Sequence, residues 1–151
     1  MTTVVAPDEG LVRAAVDLVW STMLFATVEP WPSGLDAALA DGVRATIELQ
    51  GDWNGRLALT CPAGLAGEIA GAMIGTAAAD LSAEDVHDAL GEVVNVVGGT
   101  VKGALGGELA LGLPDVRPCA ADEATDEATD GGFVLGWNGA PIHVQVLAGR
   151  P

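Results

Sequence analysis

A chain of 151 residues, half of them apolar and 18% charged, has the length and composition of one folded domain with a real core and not of a disordered segment. Six Lys+Arg against 21 Asp+Glu give a net charge of −15, which leaves no basic footprint for nucleic acid or an anionic membrane surface. Cys61 and Cys119 stand alone, with no CxxC and no His cluster, and read as small buried hydrophobes in a reducing compartment. The opening MTTVVAPDEG lacks the basic region of a signal peptide, and the weakly polar stretch from Pro62 to Ala79 is interrupted by Glu68. A cytoplasmic location is therefore expected.

The first periodic segment runs from about Asp8 to Thr27, with Leu11, Ala15, Leu18 and Thr22 on one flank and Val12, Val16, Val19 and Met23 on the next. Glu29-Pro30-Trp31-Pro32 should end this helix. The period then changes to two. Val43, Ala45, Ile47 and Leu49 alternate with polar residues as a half-buried strand, Trp53-Asn54-Gly55 signals a tight turn, and Leu57 and Leu59 return. Pro62 is placed in the first turn of a second helix with Leu65, Ile69 and Met73 as its stripe and Gly75 as its stop. Ser82 and Asp85 form a capping-box pattern that opens a third helix reaching roughly Leu105.

Glu108 to Leu113 and Val116 to Cys119 read as short strands broken at Pro114. The tandem repeat Ala121 to Asp130 carries five acidic residues and reads as a solvated loop. Phe133 to Leu135 and Ile142 to Val146 then flank a second Trp-Asn-Gly turn at Trp137-Asn138-Gly139. Asp17 to Trp53 spans 36 positions and Glu92 to Trp137 spans 45, and the difference of nine is close to the length of the acidic repeat. This spacing suggests an internal duplication of a helix-plus-sheet unit. The expected architecture is a single domain over 1–151, of α/β (α+β) type: a two-layer sandwich in which helices cover a mostly antiparallel sheet.

The third helix separates into faces. Val86, Leu90, Val93, Val94, Val97 and Val101 make the apolar side, while Glu84, Asp88, Glu92, Asn95 and Lys102 follow one another on the polar side. Glu92 and Asn95 are i,i+3 neighbours and project side by side. Gly98 and Gly99 follow, each costing about 1 kcal/mol relative to Ala inside a helix, so tight packing or a close partner must compensate. Asn is likewise a poor helix-interior residue. Spacing by itself shows an exposed acid–amide pair, which on most helices is only a solvated face.

Ala89-Leu90-Gly91-Glu92-Val93-Val94-Asn95-Val96-Val97-Gly98-Gly99 resembles the Glu-x-x-Asn helix of the CheX/CheC/FliY chemotaxis phosphatases. Trp20 to Leu24, Gly55 to Thr60, Met73-Ile74-Gly75 and Leu113-Pro114 also look like CheX-type sequence in the same order, so the similarity covers roughly Leu11 to Val146. The resemblance implies a phosphatase acting on the aspartyl phosphate of a CheY-like receiver. Asn95 would enter the receiver's site and hold a water in line with phosphorus, and Glu92 would pair with the receiver's Lys. It implies no cofactor of the chain's own, with Mg2+ supplied by the receiver, and a homodimer as a reasonable assembly. The first helix reads Asp17-Leu18-Val19-Trp20, with Trp where a second site would need Asn. That departs from the two-site CheC pattern and matches a one-site, CheX-like arrangement.

The main alternative is a non-catalytic receiver-binding or scaffold module on the same fold, as in the middle domain of FliM. Intact Glu92 and Asn95 favour the enzyme, and a buried Asn95 would favour the scaffold. An unrelated α/β binding domain would follow if the topology lacked the duplication. His87 and His143 have no second ligand at metal-like spacing and read as ordinary surface or strand histidines. Lys102 reads as a solubilising residue near a helix C-terminus, Trp53 and Trp137 as caps on the two hairpins, and Gly103 to Gly107 lacks the Lys-Ser/Thr of a phosphate loop.

Overall fold

The computed structural model describes residues 6–31, 42–119 and 132–148. The reading of 121–130 as a solvated loop lies outside them. Helix α1, Glu9–Val19, is capped by Asp8, whose side chain accepts from the Leu11 N–H at 2.7 Å. Its buried stripe is Val12, Ala15, Val16 and Val19, while Leu18 is exposed. The helix widens into a π turn over Trp20–Leu24 and stops at Phe25, whose φ of 55° is left-handed. The stop therefore comes before the prolines. The Trp20 carbonyl accepts from both the Phe25 and Ala26 N–H groups and closes the helix there.

Glu29–Pro30 forms a two-residue strand, β1, where only a helix terminator is evident in the sequence. It lies at the sheet edge, the one place a strand proline is tolerated. Strands β2, Gly42–Gly51, and β3, Gly55–Pro62, form the expected hairpin, but its turn is not the two-residue Asn-Gly type. Leu49 pairs with Gly55, and Gly51 (φ 133°) takes the positive angle. The Asn54 side chain closes the loop on the Gly51 N–H and C=O. A Cβ on Gly51 would fall 2.1 Å from the Glu108 carbonyl oxygen, so the loop docks where only glycine fits.

Pro62 precedes helix α2, Ala63–Ile74, as its N-cap and does not enter its first turn; Gly75 ends it as expected. A 3₁₀ turn at Ala78–Asp80 leads to α3, Ala83–Leu105, where the Ser82–Asp85 capping box closes in both directions at 3.1 Å. Strands β4, Leu109–Leu111, and β5, Asp115–Cys119, are separated at Pro114. Strands β6, Phe133–Trp137, and β7, Ala140–Ala148, form the second hairpin, with Asn138 and Gly139 both at positive φ and Trp137 paired to Ala140. This second Trp-Asn-Gly is the two-residue turn that the first is not.

All pairings are antiparallel, in the order β1-β6-β7-β3-β2-β4, with β5 also paired to β2. The halves repeat. Each gives a helix, a short strand that crosses to the other half's hairpin, and a hairpin of its own, and the hairpins meet at β3 and β7. The helices cover one sheet face. Ala45, Ile47, Leu49, Leu57, Leu59, Phe133, Leu135, Ile142, Val144 and Val146 face them in one core with Val93, Val97 and Val101.

Candidate functional site

Helix α3 is held by its own chemistry at one end and by glycine packing at its middle. The capping box anchors its start, and Val93, Val94, Val97 and Val101 bury its apolar side. A Cβ on Gly98 would fall 2.9 Å from Ile47 Cγ2 and 3.2 Å from Leu111 Cδ2, so the helix backbone lies directly on β2 and β4. Gly91 faces Pro114 and Val116 at ordinary contact distance. One of the two adjacent glycines is thus explained by packing. Gly99 is not, because a Cβ there would meet Leu111 Cδ1 at a comfortable 3.8 Å.

This seating turns Glu92 outward, exposed, and leaves Asn95 half-buried beside it. Within helix geometry their Cβ atoms are about 5–6 Å apart. Among the described residues neither side chain has a hydrogen bond or ion pair. A half-buried carboxamide without a partner keeps both its donor and acceptor capacity for a group arriving from outside. Glu84 and Asp88 are exposed two turns and one turn earlier, so the surface leading to the pair is acidic.

Two open concavities, of about 430 and 450 Å³, lie by the β2–β3 loop with the end of β7, and by β1 with the β6–β7 turn. Neither touches α3. Glu92 and Asn95 stand on the outward side of α3, away from both concavities, and not in an enclosed site of the kind that holds small molecules. The sequence reading missed the rim of this face. Leu113 is 90% exposed in the turn between β4 and β5, next to the Pro114 that packs at Gly91. An apolar residue inside a Gly-Leu-Pro turn was the available signal.

The other candidates fall elsewhere. Lys102 is exposed in the last turn of α3, and His87 is half-buried near its start. His143 is buried in β7, and burial together with the Arg44 guanidinium holds its pKa below the ordinary 6.5. Cys61 and Cys119 are buried thiols, and burial pushes Cys61 up to about 12. Trp53 is half-buried against Gly55, and Trp137 meets Trp20 edge-on at 6.0 Å. Among the described residues no cluster of three His, Cys, Asp or Glu could hold a metal ion, and no helix is long and apolar enough to cross a membrane.

The family model "Chemotaxis phosphatase CheX" matches residues 43–134, a span that contains all of α3. Among solved structures the chain is similar to a CheC-like superfamily protein from Shewanella sp. PV-4, at 23% identity over 93% of this chain and 96% of that one, with a TM-score of 0.71. It is similar to the chemotaxis protein CheX from Vibrio vulnificus at 22% identity over 91% and 93%, TM-score 0.69. A third likeness is to a chain in the CheX–CheY–BeF3–Mg2+ complex from Borrelia burgdorferi, at 18% identity over 97% and 100%, TM-score 0.68. No curated protein matches the chain.

Proposed function

The chain belongs to the chemotaxis phosphatase CheX family, and from that footing we propose that it hydrolyses the aspartyl phosphate of a CheY-like response-regulator receiver. The observation that carries the reading is the Glu92–Asn95 pair, side by side on the outward side of α3 and without a hydrogen-bond or ion-pair partner among the described residues.

An aspartyl phosphate is an acyl phosphate and already activated, so positioning the attacking water is most of the task. The Asn95 carboxamide accepts from that water through Oδ1 and donates through Nδ2, and so aims a lone pair at phosphorus. The water oxygen bonds to phosphorus, the bond from phosphorus to the receiver's aspartyl oxygen breaks, and the carboxylate leaves. The water's proton passes to solvent. Glu92 pairs with a receiver lysine, which fixes the docking and places Asn95. Mg2+ belongs to the receiver in this scheme, and the acting chain is cytoplasmic and assembles as a homodimer.

The deciding measurement is phosphate release from an acetyl-phosphate-charged receiver of the same organism, with wild type beside Asn95→Ala and Glu92→Ala. Loss of a positioned water should lower kcat by at least about 100-fold for Asn95→Ala, while Glu92→Ala should act mainly by raising KM. Detectable receiver binding without any acceleration by wild type would leave the scaffold reading in its place.

A further inference from the structure

Residues Leu111 to Pro114 run alongside the stripe of α3 that carries Asn95. A Cβ on Gly91 would lie 3.7 Å from Pro114 Cβ and Cγ, and one on Gly98 would lie 3.2 Å from Leu111 Cδ2. Gly91, Asn95 and Gly98 succeed one another at i, i+4 and i+7 and share that stripe. The helical steps from Gly91 to Gly98 rise about 10.5 Å, and the chain from Leu111 to Pro114 spans at most about 10–11 Å. The two lengths match, and the segments run in opposite senses. Asn95 lies about 6 Å along the helix from Gly91, which sets it beside Gly112 and Leu113.

Among the described residues Leu113 is the most exposed large apolar side chain, at 90%. An exposed leucine by itself needs no function. This one is held in place beside the site. The Gly112 N–H donates to the Glu48 carbonyl at 2.9 Å on one side, and Pro114 packs at Gly91 on the other. A residue before proline is moreover confined to extended backbone. Polar contacts across an interface gain most where an apolar rim keeps water from them. The exposed residues that precede Glu92 on its own face, Glu84 and Asp88, are charged, so the turn and not the helix offers that rim.

We propose that Leu113 is a receiver-docking residue. A receiver that engages Glu92 and Asn95 buries this leucine against an apolar patch of its own, beside the phosphorylated aspartate. The contact sets affinity and partner choice without touching the reacting atoms. The assignment rests on the receiver reading of α3 and adds to it an apolar anchor supplied by the β4–β5 turn.

The test compares wild type, Leu113→Ser, Leu113→Met and Phe25→Ser. Phe25 is 88% exposed and leads into β1, at the opposite end of the sheet order from β4, and so controls for loss of any exposed apolar side chain. Phosphate release from acetyl-phosphate-charged receivers of the same organism gives kcat and KM, and binding of the beryllofluoride-loaded receiver gives Kd. Leu113→Ser should raise KM and Kd about 10- to 100-fold, the value of one buried leucine. Its kcat at saturation should stay within about twofold, and its thermal midpoint should not move. Leu113→Met should keep most of the affinity, and Phe25→Ser should behave as wild type. Normal KM and Kd in Leu113→Ser beside an active wild type would overturn the docking role alone. A fall in kcat without a change in Kd, a lowered midpoint, or an equal loss in Phe25→Ser would do the same. Where wild type binds a receiver without hydrolysis, Kd decides the role of Leu113 by itself. A wild type that neither binds nor hydrolyses with any receiver overturns the receiver reading and the docking role together.

Discussion

Gly98→Ala and Gly99→Ala differ by one position and should move stability in opposite directions. Either change removes the conformational penalty of glycine inside α3, about 1 kcal/mol. At Gly98 the new methyl would sit 2.9 Å from Ile47 Cγ2 and 3.2 Å from Leu111 Cδ2. Ile47 is 1% exposed and enclosed in the core, so it can yield only by displacing other core side chains. Overpacking of about 1–3 kcal/mol therefore opposes the gain and leaves a net loss of roughly 0–2 kcal/mol. At Gly99 the contact is an ordinary 3.8 Å, so the gain of about 0.5–1 kcal/mol survives. Urea unfolding with m-values checked for constancy reads both. Gly98→Ala at least as stable as Gly99→Ala would refute the view that α3 is seated on β2 through that glycine. Gly99 is also i+4 from Asn95, on the docking side. On the proposed reading the stabilised Gly99→Ala protein should show a raised KM for the phosphorylated receiver, since its methyl stands where bare backbone admits the partner.

Two further outcomes concern buried titratable groups. The folded pKa of His143 lies below its ordinary 6.5, so the unfolded chain takes up a proton that the fold excludes. Stability should be full above about pH 6.5 and fall as the pH drops toward the folded value. Thermal midpoints between pH 7.5 and 5.5 should show this slope in wild type and lose much of it in His143→Gln. Cys61, with its thiol pushed up to about 12 and fully buried, should resist iodoacetamide at pH 8 in the folded protein and label only on unfolding. Rapid labelling under native conditions would contradict its placement.

Most elements were legible because their signals are local. The alternation from Val43 to Leu49, the Ser82–Asp85 box and the Gly75 stop each specify a short-range geometry, and each stands where the sequence places it. The failures are tertiary. Trp53-Asn54-Gly55 and Trp137-Asn138-Gly139 are the same tripeptide, but docking of Gly51 and Asp52 on Glu108 claims the first turn and leaves the second free to close tightly. Strand β1 exists only because β6 offers it an edge. The site was half legible. Helical spacing places Glu92 and Asn95 together, but nothing in the spacing tells that both side chains remain unengaged, that Gly98 alone is needed for packing, or that Leu113 is exposed. The burial of Thr60 and His143 was invisible for the same reason. A Thr or His at a polar strand position reads as solvated until the fold buries it.

The duplicated topology sharpens why a single helix carries the site. Helices α1 and α3 take corresponding places in the two halves, and Asp17 and Trp20 correspond to Glu92 and Asn95. Asp17 remains exposed as Glu92 does, but Trp20 is fully buried, its ring edge-on to Trp137 at 83°. The indole fills core volume that the small half-buried Asn95 leaves to other side chains in the second half. The π turn begins at Trp20, and the chain leaves the helix within five residues, whereas α3 continues ten residues past Asn95. Restoring an amide at position 20 would bury an unpaired polar group and open a cavity where the indole stood, a cost of several kcal/mol, about 3–5 from the lost aromatic alone. The first half is thus committed to the core through one side chain and its helix end. The second half keeps its acid–amide pair at the surface because Gly91 and Gly98, not a large residue, make the contact beneath it.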